Sequence, residues 1–220
     1  MMTKTNHPRK EAEMESQALS NLVVRRHAQA RRVSLRLDTR HHHFVLTLPK
    51  GVPESQGLAF AKSKSDWMEK ALQGLPARRL FQPGEMLPLR GVEHRIEHDA
   101  QAPARVTLIR LKRQAKQTMT ERSEYMAQQL SVTFKQINIG DAKTRWGSCS
   151  SKRILNYSWR LIMAPPEIID YVAAHEVAHL KEMNHSPAFW KLVKFIMPDY
   201  KLARKWLRTH AIDLAQYGPQ

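Results

Sequence analysis

The sequence predicts an α+β protein, in which a β-rich amino-terminal lobe precedes a domain of helices around a small sheet. Two observations lead to this expectation. Early in the chain, apolar and polar side chains alternate with a period of two, as along Arg32–Asp38, which is typical of strands with one buried face. Later, apolar residues recur with helical spacing on either side of short strand-like stretches. We therefore expect a polar tail over residues 1–20, a β-rich lobe over 21–115 and a mainly helical domain over 116–220.

Composition favours a globular, cytoplasmic protein that does not enter a membrane. Hydrophobic residues make up 42% of the 220 positions, and no apolar run approaches the roughly 18 residues of a membrane span. The amino-terminal segment is polar, and Cys149 is the single cysteine, which excludes an internal disulfide. The net charge of +16 favours polyanionic partners such as nucleic acid or nucleotides, with a generally basic surface as the alternative.

The first half of the chain is expected to contain strands and one helix. Alternation continues over Phe44–Leu48, so a turn carrying His41, His42 and His43 would join two strands. We interpret this histidine run as solvated rather than metal-binding, since neighbours in a strand point to opposite faces. The other expected elements are a helix, three short strands and a polar connection between lobes: Ser55–Leu72, Met86–Leu89, Glu93–Glu97, Arg105–Arg110 and Leu111–Gln117.

The second half of the chain is expected to alternate helices with short strands. Thr118 and Glu121 have the spacing of a capping box, which predicts a helix from Met119 to about Leu130. Strands should follow at Val132–Ile139, Ile154–Tyr157 and Leu161–Met163, and helices should begin at Pro165–Glu167, Pro187 and Pro198.

A motif on the first of these last helices carries the most specific chemical signal. His175-Glu176-Val177-Ala178-His179 is an H-E-x-x-H sequence. Residues four apart share a helix face, so His175 and His179 can direct their imidazoles at one ion. A catalytic zinc takes three protein ligands and a water, whose pKa falls from about 16 towards about 7. The motif therefore predicts two zinc ligands and, in Glu176, a general base that can reach this water.

His185 is the expected third ligand. Met183–Asn184 is predicted to end the helix, because asparagine tolerates the left-handed conformation, and the turn would bring His185 back to the metal. Ser186–Pro187 then has the pattern of an N-cap and first helical position. The alternative is a set of ordinary helix histidines, but burying such an ionisable set is costly unless it is paired or metal-bound.

Four segments together form a pattern more specific than H-E-x-x-H alone. They are R-R-V-S-L-R-L, F-Q-P-G-E, T-R-W-G-S-C-S and H-E-V-A-H-L-K-E-M-N-H, at Arg31–Leu37, Phe81–Glu85, Thr144–Ser150 and His175–His185. The chain resembles the YgjP-like metallopeptidase family over about Leu22–Leu214, and through it SprT-like and gluzincin-type proteases. This resemblance implies a zincin-like catalytic domain, a zinc site made by the three histidines, and Glu176 as the base.

The stretch Arg145–Ser150 is expected to form the edge strand that, in zincins, pairs with an extended substrate. Alternation places Arg145, Gly147 and Cys149 on one face and Trp146, Ser148 and Ser150 on the other. Arg145 could bind a carboxylate or phosphate, or form a structural ion pair. Arg145, Trp146 and Ser148 are therefore the candidate substrate-binding residues, while Cys149 is expected to be a small packing residue.

These features predict a zinc-dependent hydrolase, with a peptide or protein as the leading substrate. Glu176 would deprotonate the zinc-bound water, and the proton would pass to the leaving amine. Two alternatives stay open. The same site could hydrolyse a nucleoside triphosphate such as UTP between phosphates, since some members of the family are assigned as nucleotide pyrophosphatases. The zinc could also be a structural staple in a basic binding module.

Overall fold

The computed structural model describes residues 21–39, 42–96, 103–142 and 145–219. Helices and small sheets are mixed along the chain, which confirms the predicted α+β class. The chain divides into two compact units, one up to Ala77 and the other from Arg78 onward. This division lies well before the predicted lobe boundary at residues 115 and 116. Within the described residues, no helix combines the length and apolar character needed to span a bilayer.

The first unit contains a three-stranded sheet and two short helices. Strand β3 is central, with β1 parallel and β2 antiparallel to it, and its side chains Phe44, Leu46 and Leu48 are fully buried. The single helix predicted over Ser55–Leu72 is interrupted at Ser63, whose hydroxyl donates to the Phe60 carbonyl and competes with continued helix. The elements are β1 (Leu22–Arg26), β2 (Ser34–Asp38), β3 (His43–Leu48), α1 (Glu54–Lys62) and α2 (Ser65–Gln73).

The second unit surrounds a second three-stranded sheet with helices. Its strand order is β7-β9-β8, with β7 parallel and β8 antiparallel to β9. A hairpin β5–β6 and a short parallel pair β4–β10 complete its strands within the described residues. The strands are β4 (Arg79–Leu80), β5 (Met86–Leu89), β6 (Val92–Arg95), β7 (Gln136–Gly140), β8 (Gly147–Cys149), β9 (Ile154–Ser158) and β10 (Tyr217–Gly218). The helices are α3 (Pro103–Gln129), the 3₁₀-helix Trp159–Met163, α4 (Pro166–Ala178), α5 (Pro187–Ile196) and α6 (Tyr200–Gln216).

Helix α3 replaces three predicted elements. The strand Arg105–Arg110, the connection Leu111–Gln117 and the helix start at Met119 were wrong, because all of these residues belong to one continuous helix. Its buried residues recur every three to four positions, so the basic side chains between them lie on the exposed face. The buried residues of α3 include Leu111, Ala115, Met119, Ser123 and Met126, and Leu130 continues the repeat just beyond the helix. A spacing of three to four residues is helical, whereas the short alternation over Arg105–Arg110 gave a false strand signal.

Local hydrogen bonding explains another difference from the prediction. Leu161–Met163, which was predicted as a strand, belongs to the buried 3₁₀-helix. The hydroxyl of Ser158 accepts from the Arg160 amide at 3.3 Å and so caps this short helix. The sheet therefore ends at β9, and the chain turns directly towards α4.

Two polar contacts attach α3 to the rest of the second unit. Arg122 binds Asp170 of α4 through two hydrogen bonds, one of them 2.9 Å long between Nη2 and Oδ2. Ser123 and the hydroxyl of Tyr157 on β9 hydrogen-bond at 2.9 Å inside the core. Helix α4 is buried along most of its length, at Ile168, Ile169, Val172, Ala173, Ala174 and Val177. The H-E-x-x-H residues therefore sit on an element that is held from several sides.

Candidate metal centre

Helix α4 carries the first two histidines of the centre at its carboxyl-terminal end. Pro165 precedes the helix and Pro166 is its first residue, as expected for a proline whose missing amide needs no partner there. His175 lies in the last turn and His179 immediately follows Ala178 with helical backbone angles. Their rings are edge to face with centroids 4.9 Å apart. The four-residue spacing thus places the two imidazoles side by side.

His185 returns to the same place after a tight turn. Helix α4 ends at Ala178, not at the predicted Met183–Asn184, and Asn184 is not among the described residues with left-handed backbone. Instead, Asn184 accepts the Ser186 amide through its side-chain oxygen at 3.0 Å. The Nε2 atoms of His185 and His175 are 3.0 Å apart. One ring nitrogen of each of the three histidines lies within 4.8 Å of the others.

Three nitrogens at these separations fit a metal ion. Zinc with nitrogen ligands at 2.0–2.1 Å in tetrahedral geometry separates those nitrogens by roughly 3.3 Å. The 3.0 Å separation of the His175 and His185 Nε2 atoms is close to this value, and a nitrogen of His179 lies within 4.8 Å of both rings' ligand atoms. Among the described residues, this is the group of three or more histidine, cysteine and acidic side chains that could hold an ion.

Hydrogen bonding and stacking fix the ring orientations. His179 Nδ1 lies 2.8 Å from the Glu182 carbonyl oxygen, which only accepts, so Nδ1 carries the proton and Nε2 is left as the ligand atom. Phe189 stacks on His179 with centroids 4.4 Å apart, and Trp190 stacks on His185 at 5.9 Å. Both aromatic residues belong to the first turns of α5, and local sequence patterns did not predict their role.

His175 and His179 are held in the neutral form that binds metals. Burial lowers the pKa of His175 to about 3, and the neighbouring His179 and His185 add to the effect. Burial also lowers the pKa of His179. Because a metal takes only the neutral imidazole, these residues need lose no proton to bind one at neutral pH.

Glu176, the residue after His175, is buried, with 5% of its surface exposed. Its Oε2 atom is buried and has no hydrogen-bond partner in the described part of the chain, and the same holds for His175 Nδ1. Burial raises the pKa of Glu176 to about 8, while the charge of Arg145 acts in the opposite direction. A buried acceptor without a partner is costly, so this atom is suited to receive a hydrogen bond from water or a ligand.

Strand β8 lies directly against Glu176. A Cβ atom placed on Gly147 would be 2.5 Å from Glu176 Oε1, so only glycine fits this contact. The strand is shorter than the predicted Arg145–Ser150, and it forms the edge of its sheet. The Ser158 amide donates to Trp146 and the Ser150 amide donates to Ile154. The alternation of antiparallel pairing therefore directs the main-chain groups of Gly147 and Cys149 away from β9, to the free edge.

Of the three candidate substrate-binding residues, Arg145 and Trp146 precede β8 and Ser148 lies on it. Arg145 is exposed, and its charge reaches Glu176. Ser148 accepts a hydrogen bond from Asn156 at 3.3 Å, on the face opposite to Gly147, so its side chain is not brought to the histidines. Trp146 is half-buried and packs against the core. Thr144, at the start of the T-R-W-G-S-C-S segment, lies outside the described residues.

Two other predicted features take no part in the centre. Cys149 is half-buried, burial raises the pKa of its thiol to about 11, and it is not in the ligand group. In the histidine run, His41 lies outside the described residues. His42 has left-handed backbone with φ of 52°, and His43 begins β3 with its Nε2 4.0 Å from an Asp38 oxygen.

Ser186 stabilises the helix that supports the centre. Its hydroxyl accepts the Phe189 amide at 3.3 Å, and Pro187 follows as the first residue of α5, as the sequence predicted. We expect Ser186→Ala to lower the free energy of unfolding by about 1 kcal/mol, and Ser186→Asp, which keeps a capping oxygen, to be nearly neutral. Urea unfolding of both variants measures this. Equal stability of the alanine and wild-type proteins would contradict the capping role.

One protein-family model and two solved structures are similar to this chain. A family model described as "YgjP-like, metallopeptidase domain" matches residues 31–112 and 105–210. The chain is also similar to the crystal structure of the metallopeptidase zymogen of Pyrococcus abyssi abylysin, with 20% identity, a TM-score of 0.40, and coverage of 46% of this chain and 99% of that chain. The zymogen of Methanocaldococcus jannaschii jannalysin matches with 17% identity, a TM-score of 0.38, and coverage of 42% and 96%.

No curated protein matches the chain. The family model, however, covers well over half of its length, and the convergent histidines lie within the second matched segment. The chain therefore belongs to the YgjP-like family of metallopeptidase domains.

Proposed function

We propose that this metallopeptidase domain is a zinc-dependent peptidase in which Glu176 is the general base. The observation that carries the proposal is an unpartnered, buried carboxylate oxygen on the residue that follows His175, one of three convergent imidazoles. A general base must reach the proton it removes, and it must have a free acceptor atom. Glu176 Oε2 meets the second condition, and its position next to His175 on α4 supports the first.

The residues that would hold zinc are His175, His179 and His185. Three histidines are typical of a catalytic zinc site, whereas structural sites usually close all four positions with protein ligands. When bound, zinc supplies a Lewis acid that polarises a carbonyl group and lowers the pKa of a water molecule. The group in the described residues contains three such side chains, which favours the catalytic alternative over the structural staple.

The chain's own part in hydrolysis is proton transfer and positioning. Glu176 accepts the proton of the attacking water through its free oxygen and then passes it to the leaving amine of the peptide. Gly147 leaves the space that the other carboxylate oxygen occupies, since a Cβ atom at this position would lie 2.5 Å from it. Phe189 and Trp190 hold two of the imidazole rings by stacking. These contacts preorganise the base and the ligands before substrate arrives.

The free edge of β8 supports an extended peptide as the substrate. A peptide that pairs with Gly147 and Cys149 would add a strand to the sheet and pass beside Glu176. Main-chain pairing of this kind gives affinity with little sequence preference. It also favours a peptide over a nucleotide, which offers no matching row of donors and acceptors.

A product screen tests the proposal. The purified protein would be incubated with a peptide mixture and, separately, with nucleoside triphosphates including UTP, before and after chelation. We expect new peptide termini by mass spectrometry, lost on chelation, and no release of pyrophosphate. Pyrophosphate release without peptide cleavage would replace the proposal with the nucleotide alternative, and cleavage that survives complete removal of metal would contradict it.

The contact between Gly147 and Glu176 gives a separate prediction. In Gly147→Ala, the added methyl group would push the buried carboxylate from its position, because the new Cβ would lie 2.5 Å from Oε1. We expect kcat for peptide hydrolysis to fall by about tenfold to a hundredfold, with zinc content unchanged. Gly140→Ala in β7 is the matched control, since its Cβ would meet nothing within 4 Å. Equal rates for the two variants would contradict the positioning role.

A further inference from the structure

A large basic cleft opens beside the metal centre. Its volume is about 680 Å³, and four cationic side chains of α6 line it: Lys201, Arg204, Lys205 and Arg208. Three aromatic residues, Trp146, Tyr171 and Tyr200, form another part of its wall. We call it the basic cleft. Nothing in the reaction proposed above uses its charge.

The four cations are arranged at a cost to the helix. They occupy positions i, i+3, i+4 and i+7 of one face of α6, all four are exposed, and none forms an ion pair with another described residue. Like charges four residues apart on a helix destabilise it, and this face contains two such pairs, Lys201–Lys205 and Arg204–Arg208. An anion bound in the cleft would relieve this repulsion, so the arrangement has the charge complementarity of a binding surface.

Shared side chains connect the basic cleft to the histidines. Tyr171 lines the cleft and lies one helical turn before His175, with ring centroids 5.9 Å apart. The Arg204 guanidinium lies over the Trp190 ring at 4.8 Å, and Trp190 in turn contacts His175 with centroids 5.8 Å apart. Tyr171 thus contacts both the cleft and His175, so the basic cleft lies next to the histidines.

The aromatic wall is not arranged for stacking nucleic-acid bases. Tyr171 and Tyr200 have only 7% and 8% of their surfaces exposed, and the face of Tyr200 is stacked on Trp190. Single-stranded nucleic acids are bound by aromatic faces open to the bases as well as by basic grooves. Here the charge is accessible but the two tyrosine faces are not, which disfavours nucleic acid as the occupant.

Strand β8 leads into the basic cleft. Trp146 immediately precedes β8 and lines the cleft, while Gly147, the first residue of β8, contacts Glu176. An extended peptide on the free edge of β8 would thus pass Glu176 and place its next residues along the cationic face of α6. The occupant that matches both surfaces is a peptide whose main chain pairs with β8 and whose side chains are acidic.

We propose that the basic cleft is a subsite that selects substrates with aspartate or glutamate side chains next to the cleaved bond. This inference rests on the proposed function for its reaction, but the subsite itself is a binding surface. It assigns Lys201, Arg204, Lys205 and Arg208 as specificity-determining residues. The preference arises from electrostatic complementarity, so it should weaken as salt increases.

Binding of matched peptides tests the subsite without requiring hydrolysis. The full chain carrying Glu176→Gln would be titrated, by fluorescence anisotropy, with a labelled short peptide containing consecutive glutamates and with its glutamine counterpart. A single-stranded oligothymidylate of the same net charge is the third probe. We expect the glutamate peptide to bind about tenfold more tightly than the glutamine peptide, with the oligonucleotide weaker than the glutamate peptide.

Two double variants with equal loss of charge locate the effect. Lys201→Gln with Lys205→Gln removes two cations of the cleft, and Lys191→Gln with Lys194→Gln removes two exposed cations of α5 outside it. All four positions are exposed, so folding should be kept, and circular dichroism checks this. The glutamate preference should fall to about twofold in the first variant and persist in the second.

The binding measurements test the acidic-peptide subsite independently of the peptidase reaction. An equal loss of preference in both double variants, or no preference in the parent chain, would overturn the proposal. Tighter binding of the oligothymidylate than of the glutamate peptide would overturn the choice of occupant. Glutamate preference that depends on Lys201 and Lys205 in a protein that cleaves no peptide would support the subsite while removing the proposed peptidase function.

Discussion

Replacing Glu176 with glutamine is expected to lower peptide hydrolysis by about a hundredfold or more, while zinc remains bound. Glutamine keeps the size and the carbonyl oxygen of glutamate but cannot accept a proton from water. The carboxylate takes no place in the histidine group, so metal affinity should not depend on its charge. The neutral glutamine should not lower stability, because burial already disfavours the charged form of Glu176. Single-turnover hydrolysis and metal analysis of the same sample measure the two effects.

Glu182→Gln is the matched control for this substitution. Glu182 lies six residues after Glu176, and its main-chain carbonyl accepts a hydrogen bond from His179 Nδ1. The substitution leaves this carbonyl in place. We expect wild-type hydrolysis and zinc content in this variant. A Glu176→Gln protein that hydrolyses peptides at the wild-type rate would contradict the role of Glu176 as base, and a loss of zinc in that variant would show that the carboxylate is a ligand instead.

Replacing His175 with alanine is expected to lower zinc affinity and hydrolysis together, each by more than about a hundredfold. His175 has its ring centroid 4.9 Å from those of His179 and His185, so its loss leaves at most two ligands in this group. Isothermal titration with zinc and the hydrolysis assay measure the change. His185→Ala should show the same linked loss, in contrast to Glu176→Gln, which separates metal binding from hydrolysis.

His210→Ala is a suitable control for the histidine variants. His210 stacks on Trp206 of its own helix with centroids 4.2 Å apart, and its Nδ1 donates to the Trp206 carbonyl. We expect its removal to leave zinc affinity unchanged. Full zinc retention in His175→Ala would remove the assignment of the site, and wild-type affinity in His185→Ala would show that the third ligand lies elsewhere.

The sequence predicted best what depends on local spacing. The placement of His175 and His179 on one helix face follows from residues four apart, and the N-cap at Ser186 follows from residue type and the proline after it. His185 was expected to return to the histidines, and it lies there, although a turn with Asn184 as side-chain acceptor replaces the predicted left-handed helix end. Different local routes can thus bring the same side chain to the same place.

What the sequence missed depends on contacts between distant segments. The alternation along β8 put Gly147 and Ser148 on opposite faces, but nothing local shows that the Gly147 face meets Glu176 and the Ser148 face meets Asn156. The support of His179 and His185 by Phe189 and Trp190 likewise depends on how α5 packs. In α3, a short alternating stretch concealed a helical repeat that becomes clear only from Leu111 to Leu130.

Reconstitution of metal-free protein with zinc tests the central claim most directly. The protein would be stripped with a chelator, titrated with zinc and assayed for peptide hydrolysis at each step. Three histidines and one base predict that hydrolysis rises in proportion to bound zinc and reaches its maximum at about one equivalent per chain. Undiminished hydrolysis by the stripped protein, or full binding of one zinc with no hydrolysis of any peptide, would contradict the account.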